Sequence, residues 1–262
     1  MTPRRSRQPA FRGYARAVEA TRRLVSEHAC VLMKIATEDE ALTHEDVRRR
    51  FDAFSSAIPI ELKIGGPGAR GDLVLCRDLG IRHIIAPMVE SAYGLIDFLG
   101  GVREVFGAGA KGLKLGVNIE TEGAARDIKA VLKGDDRNEL YQVTVGRGDL
   151  SRSMGRTPDD ERVMKLAGSV IRCAHGRGYV TSVGGGVHPG NVTLILRRVS
   201  TEYVNTRNFA FRAAPGHEAE SLRRAVRCAL EAEILLCRAT GTALARARAK
   251  ALAERLRVEG KP

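Results

Sequence analysis

Short apolar strands and amphipathic helices alternate along the whole of this 262-residue chain, at intervals of roughly 20 to 35 residues. That alternation constrains the fold more than any single motif does. Parallel strands cannot be joined by tight turns, so each needs a crossover, and a helix is the usual one. Strand candidates are Cys30–Ile35, Pro59–Ile64, Arg82–Ala86, the run ending at Glu120, the run ending at Gly146, Tyr179–Val183 and Glu202–Asn205. An eighth is not evident, and Phe209–Phe211 is a weak candidate for it. Helical spacing of apolar residues is found over 15–28, 71–79, 91–106, 121–133, 159–177, near 189–199 and over 217–257, the last with a break at 240–242. Thr43 and Asp46 are placed to start another helix as N-cap and third residue.

Every strand candidate runs into a polar or glycine-rich loop, whereas an open sheet would concentrate such loops at its switch point. The chain length also suits an eight-stranded α/β barrel. The expected fold is therefore α/β, a single (β/α)8 TIM barrel with an N-terminal helix and a long C-terminal helical segment. Residues 1–10 are expected to be a disordered basic N-terminus, and 11–262 one barrel domain that includes the C-terminal helices.

Two of the strand ends carry chemistry. Tyr141-Gln142-Val143-Thr144-Val145-Gly146-Arg147-Gly148-Asp149 is a β-branched run that breaks into glycines and ends on an acid, and Leu113 to Glu120 has the same grammar. Carboxylates leaving neighbouring parallel strands sit close together. At ~5 Å and an effective dielectric of ~20 they repel by roughly 3 kcal/mol, and a divalent cation relieves that. The plainer alternative is that each acid caps the helix after it. Neither acid has a histidine or cysteine close in sequence, so the ligand set is oxygen, which suits Mg²⁺ or Mn²⁺.

The net charge of +12 raises the question of nucleic acid, but the basic excess lies on the helical ends of the chain and is not interleaved with aromatics that stack on bases. It reads as a solvated helical face, with an acidic partner or small anionic substrates behind it. No apolar run is long enough to span a membrane, and the basic start lacks the apolar core of a secretory signal, so the expectation is a cytoplasmic protein. The five cysteines are scattered, without a CxxC pair, and read as reduced packing residues. Gly184-Gly185-Gly186 with His188 would cradle a phosphate or a CoA pyrophosphate, or else be a tight turn. Arg207 would reach the barrel mouth, or else form a structural ion pair. Gly65 to Gly68 is no phosphate loop, because no Gly-Lys-Ser/Thr follows.

Asn118-Ile119-Glu120-Thr121-Glu122, Gly146 to Gly155 and Ala86-Pro87-Met88-Val89-Glu90 resemble segments of the HpcH/HpaI aldolase and citrate lyase β-subunit superfamily, over about residues 30–210. The resemblance implies a (β/α)8 barrel that binds Mg²⁺ or a similar ion through Glu120 and Asp149 and acts on a pyruvate-like 2-oxo acid or the acyl part of a CoA thioester. It implies that the backbone at Gly148 and Asp149 holds the substrate carboxylate, with Asn118 and Arg147 counted among the substrate-binding residues. Lys63 stands where the family usually has an arginine that contacts the oxo group and the enolate oxygen, and Glu38 and Asp39 fall near its early acidic pair. Three positions depart from the pattern. Lysine at 63 loses the bidentate fork. Arg147 replaces a common proline and adds a cation next to the metal. The family's proton-transfer histidine is missing, with His44 a few residues too late.

A retro-aldol cleavage needs a base for the hydroxyl proton and an electron sink for the enolate. The base is left open among Glu38, Asp39, Glu40, Glu90, His188 and a hydroxide on the cation, while Lys63 adds charge at the enolate oxygen. Three functions follow: a metal-dependent carbon–carbon lyase or aldolase on a small 2-oxo acid, a lyase on a CoA or other acyl thioester, and a non-catalytic barrel acting as a binding partner. A homo-oligomer is also expected, because Leu222, Val226, Leu230, Ile234 and Leu235 of the C-terminal helix need burial against a neighbour.

Overall fold

The computed structural model describes residues 11–37, 42–213 and 219–259. Its eight strands close into a barrel in chain order: β1 (Cys30–Ala36), β2 (Ile60–Lys63), β3 (His83–Ala86), β4 (Lys114–Ile119), β5 (Leu140–Gly146), β6 (Val180–Gly184), β7 (Tyr203–Asn205) and β8 (Phe209–Arg212). The helices are α1 (Phe11–His28), α2 (His44–Phe54), α3 (Arg70–Leu79), α4 (Ala92–Phe106), α5 (Glu122–Arg126), α6 (Ile128–Val131), α7 (Arg147–Ser153), α8 (Glu161–His175), α9 (Val192–Arg198), α10 (Ala219–Thr240) and α11 (Ala243–Glu259). The expected stretch 1–10 lies outside the described residues.

Local chemistry sets the boundaries. Thr43 and Asp46 form the expected capping box at the start of α2, and Gly80 ends α3 at φ 71, a left-handed value that suits glycine. Strands β1 to β7 are all parallel. The last unit departs from the repeat. Only residues 206–208 separate β7 from β8, far too few for a crossover. So β8 runs antiparallel to both β7 and β1, and the chain leaves the barrel at the end opposite the mouth.

The outward strand faces are aliphatic. Ile35, Leu62, Ile84, Val117, Val143 and Val183 are almost fully buried, together with Leu73, Phe98, Val163 and Ile171 of the surrounding helices. Each such side chain contributes about 1.5–3 kcal/mol. The inward faces differ from the branched aliphatic layers usual in such barrels. Lys34, Glu61, His83 and Lys114 pair across β1 to β4 at one level, and residues so paired share a face. Further round the barrel the lining is Gln142, Ser182 and Asn205.

Helix α10 lies against α1, burying Leu222, Ala225, Val226 and Ala229 with Ala17 and Leu24 in the main core. Its other flank, Leu230, Ile234 and Cys237, is covered by Ala245, Ala249 and Leu252 of α11, which folds back after Gly241 at φ 72. The apolar positions expected to seek a neighbouring subunit are therefore covered by the chain itself, with Leu235 packed partly buried on the core. The cysteines form no disulfide, and burial pushes the Cys30 thiol up to about 12. No helix among the described residues is long and apolar enough to cross a membrane.

Candidate active site

The mouth of the barrel opens into a cavity of about 680 Å³ lined by Lys63, Asn118, Glu120, Gly148, Asp149 and Gly184, among others. Glu120 follows directly on β4 and is 6 % exposed. It is not a helix cap, because Thr121 takes that role by accepting from the Ala124 N–H at 3.3 Å. Its carboxylate accepts from the Met88 N–H at 3.1 Å and from Asn118 Nδ2 at 3.2 Å. Met88 holds φ 54, an uncommon value for a residue with a side chain. Burial raises the Glu120 carboxyl above its ordinary range, the charge of Lys63 acts against that, and the charge of Asp149 adds to it. The three groups thus feel one another across the mouth. Asn118 Oδ1 is a further buried oxygen there, without a hydrogen-bond partner.

Asp149 lies in the first turn of α7, its side chain about half exposed and ion-paired with Arg152 on the next turn. The turn into α7 is fixed from behind. Gly185, at φ 78, backs onto it so closely that a Cβ would stand 2.2 Å from the Gly148 nitrogen. The expected cradle at Gly184 to Gly186 is thus in part a packing surface for that turn, although all three glycines also line the mouth.

Arg147 corrects an expectation. Its side chain is fully buried and points away from the mouth, donating to the Pro158 carbonyl at 3.0 Å and to Asp159 at 2.9 Å. Asp159 also accepts from Asn191 Nδ2 and lies 3.7 Å from His188. Arg147 and His188 therefore belong to a part-buried cluster around Asp159 that holds the α7–α8 loop, and neither lines the mouth cavity. Glu90 is exposed and accepts from the Thr121 hydroxyl at 2.6 Å, likewise off the cavity wall. Glu38, Asp39 and Glu40 lie outside the described residues. Arg207 does reach the mouth, in the β7–β8 turn, where its charge acts on the buried Glu233 of α10. Glu233 accepts from the Asn208 N–H at 2.7 Å and ties that turn to α10. Arg248, Leu252 and Arg255 of α11 complete the wall.

Sequence reading missed a histidine–carboxylate pair. His44 Nε2 is 2.7 Å from Asp72 Oδ1, and the other Asp72 oxygen accepts from the Thr37 hydroxyl at 2.7 Å and the Gly65 N–H at 2.8 Å. Gly65 borders the mouth, so the pair stands next to the rim, although neither of its side chains lines the cavity itself. The histidine was legible as a residue type, but its partner lies 28 positions away and no spacing rule connects them. Lys34 was also missed. It faces the cavity from inside β1, with Glu61 at 3.4 Å.

Among the described residues no group of three or more His, Cys, Asp and Glu side chains is arranged to hold a metal ion. Glu120 and Asp149 bring oxygen atoms from two elements to the wall of the open cavity.

No protein-family model matches the chain, and no curated protein sequence matches it. Solved structures do. An HpcH/HpaI aldolase from Desulfitobacterium hafniense DCB-2 superposes with a TM-score of 0.59 at 15% identity, covering 75% of this chain and 82% of that one. An HpcH/HpaI aldolase/citrate lyase family protein from Burkholderia cenocepacia J2315 gives 0.58 at 15% identity, over 84% and 90%. The citrate synthase SbnG gives 0.56 at 16% identity, over 72% and 81%. At such identities the likeness is one of architecture, and the chain is an α/β TIM barrel of the fold that these aldolase and citrate lyase family structures share.

Proposed function

We propose that the chain is a divalent-cation-dependent carbon–carbon lyase or aldolase that cleaves or forms a small 2-oxo acid. One observation carries the reading: Glu120 and Asp149, from adjacent strand ends, share the mouth with Lys63, and the charges of both neighbours act on Glu120. A site that merely capped helices would not bury one carboxylate beside another. The oxygen donors suit Mg²⁺ or Mn²⁺, held by Glu120 and Asp149, and when bound the ion would supply Lewis-acid polarisation of the substrate's carboxylate and keto oxygens.

The chain's own groups do the rest. Cleavage of a 4-hydroxy-2-oxo acid removes the hydroxyl proton, breaks the bond between C3 and C4, and leaves the electron pair as an enolate that a proton then quenches at C3. Lys63 places positive charge where the enolate oxygen develops. His44, oriented by Asp72, is the proton carrier at the rim. Asn118 orients Glu120, and the backbone at Gly148 borders the bound acid.

Proton exchange at C3 of pyruvate in D₂O tests the reading without knowledge of the aldehyde partner. Expected is Mn²⁺-dependent exchange that Asp149→Asn abolishes and Lys63→Ala slows by ~10²-fold or more. Exchange into acetyl-CoA and none into pyruvate would transfer the reading to thioesters. With neither exchanged and no Mn²⁺ bound, the barrel is a binding partner and not a lyase.

A further inference from the structure

The barrel holds a second cavity, of about 210 Å³, bordered by His83 and Lys114. These open β3 and β4, and Arg212, the last residue of the reversed strand β8, lines it too. It therefore lies at the end of the barrel opposite the mouth. Barrels of this kind are ordinarily packed solid along the axis by branched side chains. Here the small Ala210 lines the cavity and polar groups edge it, and the chemistry proposed at the mouth uses none of this.

Its polar groups are sorted by depth. Glu61, Ser182 and Asn205 are inside, exposed by only 2 %, 0 % and 2 %. Asn205 Nδ2 donates to Ser182 Oγ, while Asn205 Oδ1 is buried without a hydrogen-bond partner. Glu61 Oε1 is likewise without a hydrogen bond, its cation Lys34 standing off at 3.4 Å. The inner wall therefore presents acceptors. At the rim stand the exposed cations Lys114 and Arg212.

We propose that this cavity binds a small zwitterion of the amino-acid class, its ammonium on Glu61 and Asn205 Oδ1 and its carboxylate between Lys114 and Arg212. The volume is below the ~300–1,000 Å³ of sites for drug-sized ligands, which restricts the class to compact molecules. Occupation reaches the mouth through one ion pair. Lys34, the partner of Glu61, lines the mouth cavity. A ligand ammonium competes with Lys34 for Glu61 and so releases positive charge towards the mouth. By linkage, an anion at the mouth and the zwitterion at the far end favour each other.

Calorimetric titration of the full chain with a panel of standard amino acids tests this, with acetate and methylamine as half-ligands. Expected is binding of at least one amino acid, with acetate and methylamine each at least ~10-fold weaker. Lys114→Ala and Arg212→Ala change exposed residues outside the core, so they keep the fold, checked by thermal unfolding, and each weakens that binding several-fold. Glu61→Gln abolishes it. The proposal is overturned if no amino acid of the panel binds, if acetate binds as tightly, or if both rim variants bind unchanged, which would locate the ligand elsewhere. None of these outcomes depends on turnover at the mouth.

Discussion

Gly146, the last residue of β5, lies against the carboxylate of Glu120: a Cβ built on it would stand 2.5 Å from Oε1 and 2.7 Å from Cγ. The backbone there has φ −88, a value any residue adopts, so the glycine is required for space and not for conformation. Gly146→Ala should push Glu120 out of place while the barrel stays closed. The expected result is a fall of ~10-fold or more in Mn²⁺ affinity by calorimetry, with thermal unfolding little changed. Unchanged affinity would remove Glu120 from the ligand set.

The Asp149–Arg152 pair makes a prediction of opposite sign. An arginine on the same carboxylate competes with a cation, and exposed pairs of this kind are worth ~0.2–1 kcal/mol. Arg152→Ala should therefore strengthen Mn²⁺ binding by up to ~5-fold, whereas Asp149→Asn should abolish it. If Arg152→Ala weakens the ion instead, Arg152 takes part in the site in some other way.

The His44–Asp72 pair separates proton transfer from cation binding. His44→Asn should lower the exchange of pyruvate C3 protons by ~10²–10⁴-fold, the usual share of a general acid–base group, and leave Mn²⁺ affinity as it was. Equal exchange rates in wild type and variant would return the role to the acids near residue 38.

His83 should contribute to the loss of stability on the acid side. Burial, and after it the charge of Lys114, pushes its imidazole down from 6.5 to about 4. The unfolded chain then takes up a proton that the folded chain refuses, so stability falls as pH drops from 6.5 towards 4. Replacing His83 with Gln should flatten that part of the profile of urea midpoint against pH. A slope identical to wild type would show that other groups set it.

The fold was legible because the strand-to-helix alternation is local, and the caps at Thr43 and Gly80 sit where their chemistry demands. The meeting of Glu120 and Asp149 at one mouth was legible for the same reason: each follows its own strand. What could not be read was set by tertiary geometry. Arg147 looked like a mouth cation because it stands between Gly146 and Gly148 at a strand end, where the family resemblance has a proline, but Asp159 and Pro158 draw its guanidinium behind the turn. Glu90 follows an apolar strand as Glu120 does, yet Thr121 holds it outside. His44 gained its significance from Asp72, which belongs to a different helix. The apolar stripe of the C-terminal helix was expected to meet a neighbouring subunit, and within the chain α1 and α11 cover it.

The reversed strand β8 has a consequence for how such a pocket can change. Because it delivers the chain to the far end, α10 must climb back for its 22 residues, ~33 Å at 1.5 Å per residue, before α11 can close the mouth. One wall of the pocket is thus carried by the last stretch of sequence, attached through a single joint at Gly241 and packed on a small core of its own. That stretch contributes no strand to the barrel. The floor of the pocket, built from the strand ends, and the wall that α10 and α11 raise over it are in this way separate pieces of chain, which substitutions in α11 can vary without touching Glu120 or Asp149.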